Sequence, residues 1–359
     1  MIHIMDNNTQ IKPRSSNIEL LRIVSMIMIL SLHSFAWNRA SGSDGYIHSF
    51  SFGVCLDYFR ESLCVCAVNV FVLISGFFGI KWKWKSFLGF AFQVYFWSLG
   101  IYFLLLVLGK VPFSYSDMFH RFNCMIGDWW FVEAYLGLYI LSPLLNAFVE
   151  KIHKRFILAW VILFVIFEVY SHWVGSSMNF SRGYNTLALC GIYLIGRLLY
   201  LYKDRILVAR WKSLLSYIVI ALVITVIALY MLIVQGNDYM TIQKSFIYSY
   251  SNPLVILESI CLFFVFYSIK LNSKFVNYIG SSIFAVYLLH MHPNLKQHYY
   301  WYCGHLYDKP FLYHLLALVC LFVGIVICAV LIDKIREVVF SYMYPKCKSL
   351  VLKIWNIRK

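Results

Sequence analysis

Apolar stretches of roughly 17 to 25 residues, each long enough to cross a bilayer as a helix, recur along the whole chain. Nothing else in the sequence limits the possible folds as strongly. Ten such runs are expected to span: roughly 18–36, 61–80, 86–108, 130–148, 156–174, 185–202, 213–234, 253–269, 275–291 and 312–333. With 61% hydrophobic and 13% charged residues, the runs lack the polar face of a soluble amphipathic helix. The expected fold class is therefore all-α, a polytopic membrane helical bundle. A soluble chain of 359 residues would be expected to split into more than one core, but the bilayer takes over that role. One membrane domain over 18–333 is expected, between an N-terminal segment 1–17 and a basic tail 334–359.

Basic residues fix the expected orientation. Lys12 and Arg14, Lys81 to Lys85, Lys151 to Arg155, Lys203 to Lys212, Lys270 and Lys274, and the tail all fall on one set of connections. Cytoplasmic loops collect Lys and Arg, so both termini are expected in the cytoplasm. The net charge of +15 follows from that topology and from attraction to anionic lipid, and calls for no nucleic-acid partner. Residues 1–17 are polar and the first apolar run shows no small-residue cleavage site, so the first helix is expected to remain in the mature protein. Most of the ten cysteines behave as small apolar residues. Cys55, Cys124 and Cys303 lie in outward segments where pairing is conceivable, and no spacing resembles a zinc site.

Within this apolar background, Arg22 and His33 share the first span. Eleven positions bring a helical side chain back to within ~20° of its starting azimuth, ~16 Å further along the axis. The two groups therefore face one side, near opposite ends of the span. Ionisable groups in a membrane helix are costly and usually face a bundle interior or a water-filled cavity. A snorkelling arginine or an interhelical histidine bond would explain either residue alone; sharing a face favours a common cavity. Glu19, three residues before Arg22, is spaced to pair with it and position it.

Three further stretches carry polar chemistry. In AVNVFVLISGFFGIKWKWK (67–85), Asn69 is expected deep in the outer part of the membrane, and Ser75-Gly76 offers a point of close helix approach. Lys81, Lys83 and Lys85 follow at the inner end, where they either neutralise a phosphorylated cofactor or are ordinary inner-loop lysines. In GDWWFVEAYLGLYILSPLLN (127–146), Glu133 lies just below the outer surface, placed to orient His33, to bind a hydroxyl or simply to sit at the interface. In NYIGSSIFAVYLLHMHPNL (277–295), His290 and His292 flank the outer end of the ninth span, where imidazoles can relay protons; no third ligand accompanies them for a metal. The long outward connections contribute SGSDG at 41–45, His48, His120, QGNDY at 235–239 and HYYWYCGHLY at 298–307. Their aromatics and amides suit either sugar binding or an interfacial belt.

Taken together, these segments resemble the integral membrane acyltransferase 3 family. Arg22 and His33 match the arginine and histidine that the family carries in its first helix with ten residues between them. NVFVLISGFF, WWFVEAYLGLYILSPLLN and SSIFAVYLLHMHP are similar to its later segments, in the same order over nearly the whole chain. Glu19 stands where many members have Asp, and an Arg-x-x-Arg that some carry after the second span is replaced by the lysines at 81 to 85.

The resemblance implies transfer of an acyl group, commonly acetyl from acetyl-CoA, to a hydroxyl of a cell-surface glycan or lipid-linked saccharide. It further implies a multi-pass protein of the bacterial cell membrane. On that reading Arg22, helped by Lys81, Lys83 and Lys85, would hold acyl-CoA, and His33 would be either general base or transient acyl carrier. The acyl group, acetyl or succinyl, and the identity of the acceptor are not legible. A transporter or flippase for a glycan or lipid would use the same cavity without acyl-CoA.

Overall fold

The computed structural model describes residues 15–36, 52–174, 181–205, 209–307 and 309–357. SGSDG at 41–45, His48, Lys12 and Arg14 lie outside the described residues. Among the described residues every regular element is helical. In chain order these are α1 Ser16–Ala36, α2 Phe52–Cys64, α3 Ala67–Phe78, α4 Trp84–Val107, α5 Tyr115–Phe122, α6 Trp130–Lys151, α7 Lys154–Val174 and α8 Thr186–Tyr202. They continue with α9 Arg210–Ile233, α10 Tyr239–Lys244, α11 Pro253–Tyr267, α12 Lys274–Ser282, α13 Phe284–His290, α14 Lys296–Tyr307 and α15 Phe311–Ile357.

Eight segments among the described residues are long and apolar enough to cross a membrane. The chain is a multi-pass membrane protein. Two expected spans take another form: 185–202 is the 17-residue apolar helix α8, and 275–291 is broken at Ile283 into α12 and α13. The expected span 61–80 is likewise two helices interrupted at 65–66, and together they form the crossing Phe52–Phe78. Helix α15 continues past residue 333 to Ile357, so the described part of the basic tail is helical.

Burial separates a central group from a peripheral one. The Phe52–Phe78 crossing is 78% buried and the last crossing only 17%, so α2 and α3 form the axis while α15 turns most of its surface outward. Helix α3 packs against α1, α8 and α11; α9 covers α2 and α11; α6 lies on α8. Lipid tails are as apolar as leucine, so hydrophobicity alone does not draw membrane helices together, and close backbone packing matters more. At the α3–α8 crossing, Gly76 faces the Tyr193 carbonyl and Gly196 faces the backbone of Leu73 and Phe77; a Cβ at either would collide with main chain. The small-residue contact expected at Ser75-Gly76 is this seam. Across α1, Gly280 of α12 is pressed against the Glu19 side chain.

Turn chemistry sets several boundaries. Asn185, Asp238 and Ser273 each accept a bond from a backbone N–H three residues on, satisfying donors left open at the starts of α8, α10 and α12. Asn252 caps α11, with Pro253 in the first turn, where a missing N–H costs nothing.

Candidate active site

Helix α1 presents its chemistry at two levels. Near its start, Arg22 Nη1 lies 2.6 Å from Glu19 Oε1, the pairing their spacing predicts. The Glu19 side chain is buried and the Arg22 side chain partly exposed, so the carboxylate anchors the guanidinium while leaving it accessible. Near the other end, His33 Nδ1 lies 2.9 Å from Nε2 of His290, the last residue of α13.

A backbone carbonyl fixes the tautomers of this histidine pair. His290 Nδ1 is 2.6 Å from the Val286 carbonyl oxygen, which can only accept, so His290 carries its proton on Nδ1. Its Nε2 then holds a lone pair and accepts from His33 Nδ1–H. The remaining nitrogen, His33 Nε2, is left with its own lone pair, and no described residue bonds to it. His290 is only 3% exposed and meets the ring of Tyr299 at 5.4 Å, while Tyr299 donates to the Leu30 carbonyl of α1 at 2.7 Å. This packing clamps His290 against α1.

His33 stands where two cavities meet. One is a narrow pocket between α1, α3, α6 and α13, walled by apolar side chains including Met26, Ile29, Phe71 and Phe284. The other, of about 340 Å³, is wider and carries the polar side chains Glu61, Arg182, Gln243 and Lys244 on its walls. Trp130 and Tyr250 line both, beside His33. Asn69, fully buried on α3, donates to the Tyr250 carbonyl at 2.9 Å and thereby fixes that shared wall. Below the histidine, the Tyr135 hydroxyl of α6 meets Ser75 Oγ of α3 at 3.1 Å.

Other sequence-predicted residues stand apart from His33. Glu133 is exposed and accepts from the Gly127 N–H at 3.2 Å, whereas the described side chain bonded to His33 is His290. His292 is buried with both ring nitrogens engaged, Nε2 donating to the Ser98 carbonyl at 3.2 Å and Nδ1 accepting from the Asn294 N–H at 3.2 Å. That arrangement ties the end of α13 to α4. Lys81, Lys83 and Lys85 are exposed where the loop 79–83 leads into α4. The loop is held by Asn146, whose Nδ2 donates to the Ile80 carbonyl at 2.7 Å and whose Oδ1 accepts from Tyr193 Oη at 2.7 Å.

Sequence reasoning passed over Arg197, Glu61, Arg182 and Gln243. Arg197 of α8 packs its guanidinium against Gly79 and over the Tyr200 ring at 5.2 Å. No described carboxylate pairs with it, which adds a cation beside the lysine loop. Glu61, an acid buried at the edge of an apolar run, is the one of the four that the sequence could have flagged.

A family model described as an acyltransferase domain matches residues 15–333. The chain belongs to the acyltransferase 3 family. Comparison with curated proteins and with solved structures gave no match. The matched region of this acyltransferase contains the histidine pair, the Glu19–Arg22 pair and every residue named on the cavity walls. Within it His33, with one imidazole nitrogen bonded to no described residue, lines both pockets, an arrangement suited to deprotonating a hydroxyl.

Proposed function

We propose that this membrane acyltransferase moves an acetyl group from cytoplasmic acetyl-CoA to a hydroxyl of a cell-surface glycan or lipid-linked saccharide in a bacterial cell membrane. The observation that carries the reading is His33 Nε2, a base with no partner among the described residues, on a side chain that lines both cavities. The acceptor would reach His33 through the wider cavity, and the narrow apolar pocket would have to open for the acyl group to meet it there. His33 Nε2 would take the acceptor hydroxyl proton as the oxygen attacks the thioester carbonyl carbon. The carbon–sulfur bond then breaks, and the imidazolium returns the proton to the departing CoA thiolate. His290, by accepting from His33 Nδ1–H, positions the ring and supports the cation that forms on it.

Acyl-CoA is a phosphorylated donor, and the cations at the other end of α1 suit it. Arg22, held by Glu19, would take pantetheine or phosphate oxygens, with Arg197, Lys81, Lys83 and Lys85 gathering the remaining negative charge. With α8 and the broken α12–α13 pair also crossing beside the eight long segments, the chain would make ten passages and both termini would lie on one side, the cytoplasmic one by the distribution of Lys and Arg. In this arrangement residues 18–333 would form the catalytic bundle, with 1–17 and 334–359 as cytoplasmic flanks.

Mass spectrometry of surface glycans from cells with and without the protein tests the reading. The expected result is an acetyl-sized increment that depends on the protein and is removed by mild base. Identical glycans in both cells would contradict it, and a larger base-labile increment would replace acetyl by another acyl group. Purified protein should also be protected from heat by CoA, which a glycan transporter would not be.

A further inference from the structure

The wider cavity contains a cation that no acid among the described residues pairs with. Arg182 lies in the short turn Ser181–Gly183 ahead of α8 and lines the same cavity as His33. Its Nη2 donates to the Gln243 carbonyl at 3.1 Å and to Gln243 Oε1 at 3.4 Å, and its guanidinium lies 5.3 Å from the Tyr184 ring centre. Its Nε is buried without a partner, and no described carboxylate forms an ion pair with it.

The acid on this cavity wall, Glu61, is 2% exposed and engaged elsewhere: it accepts from Tyr239 Oη at 3.0 Å and from Gln243 Nε2 at 3.4 Å. The Gln243 amide thus stands between the two charges, its oxygen toward Arg182 and its nitrogen toward Glu61. A direct Arg182–Glu61 contact would satisfy both ions, whereas the intervening amide keeps the guanidinium available to a ligand. Lys244 adds a second cation at the exposed rim. Arg182 also adopts φ +79°, a left-handed conformation that glycine tolerates far better than a branching side chain. The turn carries arginine despite that strain.

Resting on the acyl-transfer reading, we propose that this cavity binds an anionic acceptor. Its substrate class is a glycan bearing an oxyanion near the hydroxyl to be acylated, with Arg182 bonding the oxyanion. Trp130, 5.8 Å from Tyr250 with nearly parallel rings and 4.5 Å from Tyr184, supplies a flat wall for the sugar ring. Planar guanidinium is well matched to carboxylate and phosphate oxygens. Both sources share this chemistry: a carboxylate on the sugar itself, or the diphosphate that joins a sugar to a lipid carrier.

Binding to the purified full-length protein in detergent tests the proposal without requiring turnover. The probes are a glucuronate-containing tetrasaccharide, the same tetrasaccharide with its carboxylates reduced to alcohols, and farnesyl diphosphate. Wild type should bind at least one anionic probe about ten-fold tighter than the neutral one. Arg182→Gln should lose that preference and Arg182→Lys should keep part of it. Arg182→Gly, whose backbone suits the turn, should melt no lower than wild type yet lose the preference, which separates binding from misfolding. Preference for the tetrasaccharide assigns the anion to the sugar; preference for farnesyl diphosphate assigns it to the carrier. Equal binding of charged and neutral probes by wild type, or a preference that survives in Arg182→Gln, would overturn the proposal. Absence of acetyl transfer with acetyl-CoA would instead count against the acyl-transfer reading, leaving these binding results interpretable.

Discussion

His33 Nδ1 and His290 Nε2 stand 2.9 Å apart, and the Val286 carbonyl on the far side of His290 decides which of the two rings keeps an unbonded lone pair among the described residues. Removing His290 should therefore free His33 to rotate and to adopt either tautomer. His290→Ala is expected to lower turnover by about 10²-fold, within the range of general-base effects, with the Michaelis constant for acyl-CoA unchanged. His290→Gln, whose amide oxygen can accept from His33 Nδ1–H, should recover part of the loss. Steady-state kinetics on the reconstituted variants makes the comparison, and an unaltered turnover number in His290→Ala would remove the positioning role.

At the opposite end of α1 the buried Glu19 carboxylate is held between Arg22 and the close face of Gly280. Glu19→Gln should loosen Arg22 and raise the Michaelis constant for acyl-CoA, with little change in that for the acceptor. Gly280→Ala should act in the same direction, because its new methyl group pushes the Glu19 side chain away. It should also cost about 1–3 kcal/mol of stability from overpacking. Acyl-CoA titrations of the two variants give the test; a change confined to the acceptor constant would assign this end of the helix to the acceptor instead.

Much of this was legible in the chain because membrane helices advertise themselves. Run length located the crossings, helical spacing paired Glu19 with Arg22, and Ser75-Gly76 marked the α3–α8 seam. The breaks at 65–66 and at Ile283 were not legible, since no proline or glycine run marks either one. The site was half visible. His33 stood out as an ionisable group in an apolar run, but its partner His290 lies 257 positions away, and no local period reports a contact of that range. His292, two residues from His290, looked equally chemical and is instead occupied in tying α13 to α4. Arg182 sits in a short polar loop that nothing in the sequence separates from other connections, and its importance appears only when the fold brings Gln243 and Glu61 beside it.

The α3–α8 seam predicts a stability effect independent of catalysis. A methyl group at Gly76 would meet the Tyr193 main-chain carbonyl, which cannot swing aside as a side chain does. Gly76→Ala is expected to destabilise the protein by about 1–3 kcal/mol or more, read as a lower melting temperature in detergent. A melting temperature equal to that of wild type would mean that the helices separate more readily than their packing implies.

Outside the spans, Asp128 pairs with Arg121 at 2.9 Å, joining α5 to the start of α6. Burial pushes the Asp128 carboxyl above its ordinary value, and the nearby Arg121 charge offsets only part of that rise. The folded protein therefore holds this proton at a higher pH than the unfolded chain does. Stability from this group is fully present below its unfolded value and declines as pH rises toward its folded value. The melting temperature of wild type, measured against Asp128→Asn, should accordingly rise as pH is lowered from 7 toward 4. A difference that falls over that range would mean the Arg121 charge outweighs burial.

The central claim is that His33 Nε2 removes the acceptor proton. Its most direct test is acyl transfer by His33→Ala reconstituted in liposomes, with acyl-CoA supplied on the α1 N-terminal side and the acceptor product quantified by mass spectrometry. Transfer should fall by at least about 10³-fold while heat protection by CoA persists, because Arg22 and the lysine loop are untouched. Acceptor acylation at the wild-type rate in His33→Ala would contradict the account.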